Sequence, residues 1–183
     1  MQCMLENFQR QMWEAWKYSI AMNQILNRKI IFYFLIIFVI FILDRISKIY
    51  VINIAETTGA VDIFINNYLN IILVWNSGIG FGLFQFDERF AYNLITILIL
   101  IINFVIIYLL LNAEKFHKIL FAMILGGSFG NLYDRIYYSA VPDFIDLNYN
   151  GYHWFVFNVA DIFISIGIFA LIFHEVFRKK NEK

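Results

Sequence analysis

Two carboxylates set in apolar sequence are the first residues that suggest chemistry. Asp161 ends the run Phe157-Asn158-Val159-Ala160-Asp161, and Asp143 lies in Val141-Pro142-Asp143-Phe144-Ile145-Asp146. A carboxylate removed from water must be protonated or closely partnered, because desolvation penalises its charged form. Two such groups brought together cannot both ionise easily, so one keeps a proton while the other, ionised, activates a water molecule. That is an acid/base pair. Asn158 and Asp161, one helical turn apart, share a face. The plainer alternative is a packing or proton-buffering carboxylate, and the spacing alone leaves both readings open.

Three further polar groups interrupt apolar stretches. Asp44-Arg45-Ile46-Ser47-Lys48 places an acid four residues before a lysine, the favourable order for a helical ion pair. Such a pair either lets a membrane helix surface or holds a polar segment of a substrate. Trp75-Asn76-Ser77-Gly78-Ile79-Gly80-Phe81-Gly82 alternates glycines that permit close backbone approach. No Lys-Ser/Thr follows, so a phosphate-binding loop is a weak reading and a turn after a strand a better one. In Gly126-Gly127-Ser128-Phe129-Gly130-Asn131-Leu132-Tyr133-Asp134-Arg135, two glycines four apart form a face for close helix packing. Asn131, Asp134 and Arg135 follow within one turn, and an Arg135–Asp134 ion pair is the natural structural expectation. Cys3 is the single cysteine, and His117, His153 and His174 are scattered along the chain. No metal set and no cofactor are expected from them.

The elements that must position these groups are membrane helices. Of 183 residues, 61% are hydrophobic, 20% aromatic and only 15% charged, with one proline, a composition that suits lipid rather than water. Four apolar stretches can each reach about 20 residues, the length that crosses a ~30 Å hydrocarbon core. They cover residues 30–43 extended to about 54, then 90–112, 119 to about 133, and about 154–173. Arg28 and Lys29, Lys115 and Lys118, and Arg178, Lys179, Lys180 and Lys183 then fall on one side, the cytoplasmic one by the positive-inside rule. Both termini are expected there, and every polar group above is expected at the opposite, outward face. Residues 61–65 and 69–75, β-branched and aromatic, read as a small sheet on that outer surface. The fold expected is therefore a mostly α, four-transmembrane-helix bundle with a small β-sheet outside, covering residues 28–183. Residues 1–27 read as an interfacial extension, dispensable if Met22 is the start. Zero formal net charge gives no reason to expect nucleic acid as a partner.

In order and spacing, Asp44-x-x-x-Lys48, Asn76-x-Gly78-x-x-Phe81, Gly126-Gly127-x-x-Gly130-Asn131-x-x-Asp134-Arg135, Val141-x-Asp143-Phe144 and Phe157-Asn158-x-Ala160-Asp161 resemble the lipoprotein signal peptidases, or signal peptidase II. The likeness extends over about residues 30–178; Pro142 fills a variable position, and about 20 N-terminal residues are unmatched. The resemblance implies an aspartic endopeptidase of the bacterial inner membrane. Such an enzyme cuts the signal peptide from a prolipoprotein just before its diacylglyceryl-modified cysteine. It implies Asp143 and Asp161 as the catalytic pair, with Asp44, Lys48, Asn76, Gly78, Asn131, Asp134, Arg135 and Asn158 as binding or supporting residues. Asp134 is the rival for the pair, assigned to support because Arg135 and Asn131 can hold it ionised. Lipid-modified precursors and membrane lipid are the implied partners, without metal, and a monomer is expected. The outer glycine loop would close over the substrate. A proton-coupled small transporter or channel is the alternative, and it predicts acids spread through the bilayer depth.

Overall fold

The computed structural model describes residues 2–78, 89–149 and 152–181. Gly80 and Gly82, and the loop expected to close over a substrate, lie outside the described residues. Along the chain run α1 (Gln2–Thr58), β1 (Asp62–Asn66), β2 (Leu69–Asn76), α2 (Arg89–Asn112), α3 (Lys115–Tyr138), β3 (Val141–Tyr149), β4 (Tyr152–Phe157) and α4 (Val159–Asn181). Residues 1–35 and 36–183 form two compact units. In the first, residues 2–27 belong to α1, where Trp13 stacks on Trp16 at 4.9 Å and Lys17 lies over Trp13. All that follows concerns the second.

Among the described residues, three helical segments are long and apolar enough to cross a membrane: Ile30–Thr58, Tyr92–Asn112 and Val159–Arg178. Tyr92–Asn112 has a mean hydropathy of 3.1, yet only 6% of its most apolar stretch is buried by protein. A helix so apolar and so exposed is solvated by lipid. α3 differs. It is 24 residues long and it buries Leu120, Ala122, Ile124, Leu125, Gly126, Gly127, Gly130, Leu132, Asp134 and Arg135. Much of its surface meets protein rather than lipid, which fits its less apolar composition, although Ile136 and Tyr137 remain exposed.

Glycine lets α3 approach two helices closely. A Cβ on Gly127 would lie 2.5 Å from the Ala160 carbonyl oxygen of α4, and one on Gly130 would strike the Asp44 carboxylate of α1. Gly126, four before Gly130, meets Ile37 and Ile40 of α1. The small-residue face read from the sequence is thus the α1–α3 contact. α1 itself stops at Gly59, whose φ of +82° suits glycine and whose N–H bonds the Ala55 carbonyl.

The sheet is antiparallel, in the order β1-β2-β3-β4, with α2 and α3 inserted between β2 and β3. The two strands expected at 61–65 and 69–75 are β1 and β2. Two more were not expected. Residues 137–153 read as a short connection, but they hold β3, and the fourth apolar stretch, expected from about residue 154, begins as β4. Helix α4 starts only at Val159. A short apolar, aromatic run has no periodicity that separates strand from helix, and Asn158 is the true boundary signal. Asp161 therefore sits in the first turn of α4.

β3 pairs with β4 only from Ile145 onward, so its first residues have β2 on one side and an open edge on the other. Pro142 is tolerated there because no second strand requires its missing N–H. Asp143, next along that edge, lies opposite Val74, just past a register shift in β2. Val51 of α1, Val61 and Phe144 form a buried cluster joined by Ile71, Leu73 and Val159. This cluster seats the sheet on the ends of α1 and α4, beside the polar residues.

Candidate active site

α4 opens with a reciprocal cap. The Asp161 N–H donates to Asn158 Oδ1 at 3.1 Å, and the Asn158 N–H donates to Asp161 Oδ2 at 3.2 Å. This is a capping box built from Asn and Asp, and it fixes both side chains at the helix N-terminus. With its oxygen so engaged, the Asn158 amide turns its Nδ2 outward and donates to Asp143 Oδ1 at 2.5 Å. Asn76, at the end of β2, is oriented likewise. Its Oδ1 accepts the Gly78 N–H at 2.9 Å, leaving Nδ2 to donate to Asp143 Oδ2 at 2.8 Å. Asn158 thus touches both aspartates, and both oxygens of Asp143 are held by amides.

Burial drives the Asp143 carboxyl up, and the nearby Asp161 charge raises it further, to about 7; the hydrogen bonds from Asn76 and Asn158 act the other way. A carboxyl poised near neutrality can hold or release a proton under working conditions.

A second network fastens the pair to α1 and α3. Asn131 donates from Nδ2 to Asp161 Oδ1 at 2.8 Å, while its Oδ1 accepts from Lys48 Nζ, also at 2.8 Å. Lys48 further donates to Asp44 Oδ2 at 2.9 Å and to Asp134 Oδ2 at 2.7 Å. Arg45 closes the set, with Nη2 3.0 Å from Asp44 and 2.7 Å from Asp134, and Nη1 2.5 Å from Asp134 Oδ1. Two cations and two anions, all buried, balance in charge. The remaining Asp44 oxygen accepts the Ala160 N–H at 3.0 Å, tying α1 to the first turn of α4.

Every site residue named from the sequence enters these linked networks, but two pairings differ from expectation. Asp134 is held by Arg45 and Lys48 of α1, not by Arg135. Arg135 instead donates from Nη2 to the Gly78 carbonyl at 2.6 Å, anchoring the loop after β2. Its own carbonyl accepts from the Tyr92 hydroxyl at 3.1 Å. Adjacency in a helix misleads here, because successive side chains diverge around the axis while residues of a crossing helix can converge. Arg45 is the residue that sequence reading missed, although it stood inside the Asp44–Lys48 run. Its guanidinium lies 4.9 Å from the Tyr133 ring, a cation–π contact. Asp146, three residues after Asp143, turns elsewhere and accepts from His153 Nδ1 at 2.8 Å. His117 and His174, read as scattered, are in contact at the far ends of α3 and α4.

The profile of signal peptidase (SPase) II matches residues 36–177, most of the chain and all of both networks. The chain belongs to the signal peptidase II family. A lipoprotein signal peptidase of Pelagibacter ubique (strain HTCC1062) is 52% identical over 165 residues, covering 88% of this chain and 99% of that relative. One of Aquifex aeolicus (strain VF5) is 36% identical over 180 residues, covering 96% and 93%. Among solved structures, a bacterial membrane enzyme obtained by the in meso method superposes with a TM-score of 0.69. That pair shares 27% identity over 82% of this chain and 91% of the other.

Proposed function

We propose that the protein is an aspartic endopeptidase that removes the signal peptide from diacylglyceryl-modified prolipoproteins, cutting just before the lipidated cysteine, with Asp143 and Asp161 as its catalytic pair. The observation that carries the assignment is Asn158, which hydrogen-bonds both carboxylates at once. In this reading Asp143 begins protonated and Asp161 ionised, the latter at a helix N-terminus with two N–H donors, a setting suited to an anion. Asp161 takes a proton from water as the water oxygen attacks the scissile carbonyl carbon. Asp143 passes its proton to the carbonyl oxygen. The tetrahedral diol then collapses, Asp143 recovers its proton, and Asp161 delivers the other to the departing amine. Asn131, Lys48, Asp44, Arg45 and Asp134 hold Asp161 and the α1–α3–α4 contact, while Arg135 and Asn76 hold the loop after β2.

The membrane arrangement belongs to the same proposal. α3, at 24 residues, spans about 36 Å at 1.5 Å per residue, enough to cross the core as the fourth helix of a bundle. With both termini in the cytoplasm of a bacterium, the pair and the sheet face outward from the inner membrane. There a precursor keeps its acyl chains in lipid while its peptide bond meets water. The enzyme works as a monomer, its partners being that precursor and the surrounding lipid. The acids gather at one end of their helices, an arrangement a proton-coupled transporter does not call for.

The test is a gel-shift assay of a lipidated precursor with purified variants. Asp143→Asn and Asp161→Asn should each abolish cleavage while leaving the protein folded. Retained cleavage by both sinks the mechanism, and loss with Asp134→Asn in a folded protein would move the pair.

A further inference from the structure

At the end of α3 and α4 remote from the aspartates, three ligating side chains converge. His117 is the third residue of α3 and His174 lies near the end of α4. Fourteen residues separate His117 from Asn131 on the same helix, about 21 Å at 1.5 Å per residue, so this cluster is no part of the peptidase site. His117 Nε2 and His174 Nδ1 are 3.1 Å apart, with their rings edge to face at 85°. One ring nitrogen from each histidine and a Glu175 carboxylate oxygen all lie within 4.8 Å of one another.

We propose that His117, His174 and Glu175 form a binding site for a divalent transition-metal ion, with Zn²⁺ the best match. At the usual Zn–N length of ~2.0–2.1 Å, a 3.1 Å separation subtends roughly 98° at the ion, close to tetrahedral. Two imidazoles and one carboxylate, leaving a position for water, suit Zn²⁺ better than the oxygen-seeking Mg²⁺ or Ca²⁺. The surroundings hold the ligands in place. The Phe116 ring packs 5.0 Å from the His174 ring, and Arg178 Nη2 lies 3.6 Å from Glu175 Oε1, orienting the carboxylate from outside. An ion here pins the start of α3 to the end of α4, the pair of helices whose opposite ends carry Asn131 and Asp161.

Full-length protein in detergent, stripped with EDTA and dialysed, is titrated with Zn²⁺ against a chromophoric chelator, and Co²⁺ is added separately to read its d–d absorption. The expected result is one Zn²⁺ per chain and a tetrahedral Co²⁺ spectrum. His117→Gln, His174→Gln and Glu175→Gln should each weaken binding at least about tenfold. Cleavage of a lipidated precursor by the His117→Gln protein shows that it is folded. Wild type that binds no more Zn²⁺ than the His117→Gln/His174→Gln double variant overturns the site. Unchanged affinity in Glu175→Gln overturns the three-ligand set.

Discussion

The Asp143 side chain, held by the amides of Asn76 and Asn158, is a group of the proposed pair whose protonation changes near neutral pH. Its carboxyl binds a proton more tightly in the folded protein, at about 7, than the ordinary 3.8 of an unfolded chain. The native state therefore holds more protons than the unfolded state between those values, and stability from this group falls as pH rises from about 4 to 7. Above about 7 the loss is complete. Asp143→Asn removes the titration, so its melting temperature in detergent, relative to wild type, should rise across that window and level off beyond it. The slope is the diagnostic quantity, since an Asn amide facing the Asn76 and Asn158 amides loses hydrogen bonds at every pH. If the protonated form is the acid of the reaction, kcat/KM falls above about pH 7. Asn76→Ala deletes one of the bonds that favour the charged form and should move that alkaline limb upward. A limb that stays in place, or moves down, would contradict Asp143 as its source.

At the scale of elements, the site exists because three helices meet closely at one level and a sheet edge is left open beside them. Gly130→Ala forces the Asp44 carboxylate aside, and Gly127→Ala presses α3 away from the Ala160 carbonyl. Each should cut cleavage by tenfold or more while far-UV helical content remains, because small displacements of catalytic groups are costly. Lys48→Met leaves Asp44 and Asp134 with a single cation, and breaking a buried set of this kind costs about 3–5 kcal/mol, readable as an earlier unfolding transition. Much of this framework could be read from the chain. Glycines four apart announced a close helix contact, though not that α1 would be the partner, and the long apolar runs announced α1, α2 and the body of α4. The β4–α4 boundary was hidden by Tyr152–Phe157, an apolar, aromatic run that continues into the helix, and only the capping residue Asn158 marks it. Nor could the partners of Asp134, because Arg45 and Lys48 lie 89 and 86 residues away and only the crossing of α1 with α3 brings them in.

Among the described residues of the membrane helices, large apolar side chains face outward while the charged set shared by α1 and α3 is buried. Phe104 and Phe169 are 65% and 70% exposed, while Asp44, Lys48 and Asp134 have no exposure at all. In water this would be an unstable inversion; in lipid it is the favourable order, since the buried polar groups are paired with each other. The proposed orientation makes a direct prediction. A reporter fused after Lys183 should be active only in its cytoplasmic form, and a cysteine placed at the exposed Tyr152 should react with a membrane-impermeant thiol reagent in intact cells. The opposite labelling pattern would reverse the sidedness and place the aspartates beyond reach of an exported precursor.

The Asp161 amide donates to Asn158 Oδ1, and that one bond serves two ends at once. The same side chain that caps the start of α4 also spaces the two acids, so fraying of its first turn separates the proposed pair. Proton exchange at that single amide is thus a spectroscopic gauge of how often the enzyme is out of order. Asn158→Ser, which can still cap but cannot reach Asp143 with an amide, should leave the exchange rate of the Asp161 N–H slow while cleavage is lost. Fast exchange in that variant would mean that the cap depends on the contact with Asp143.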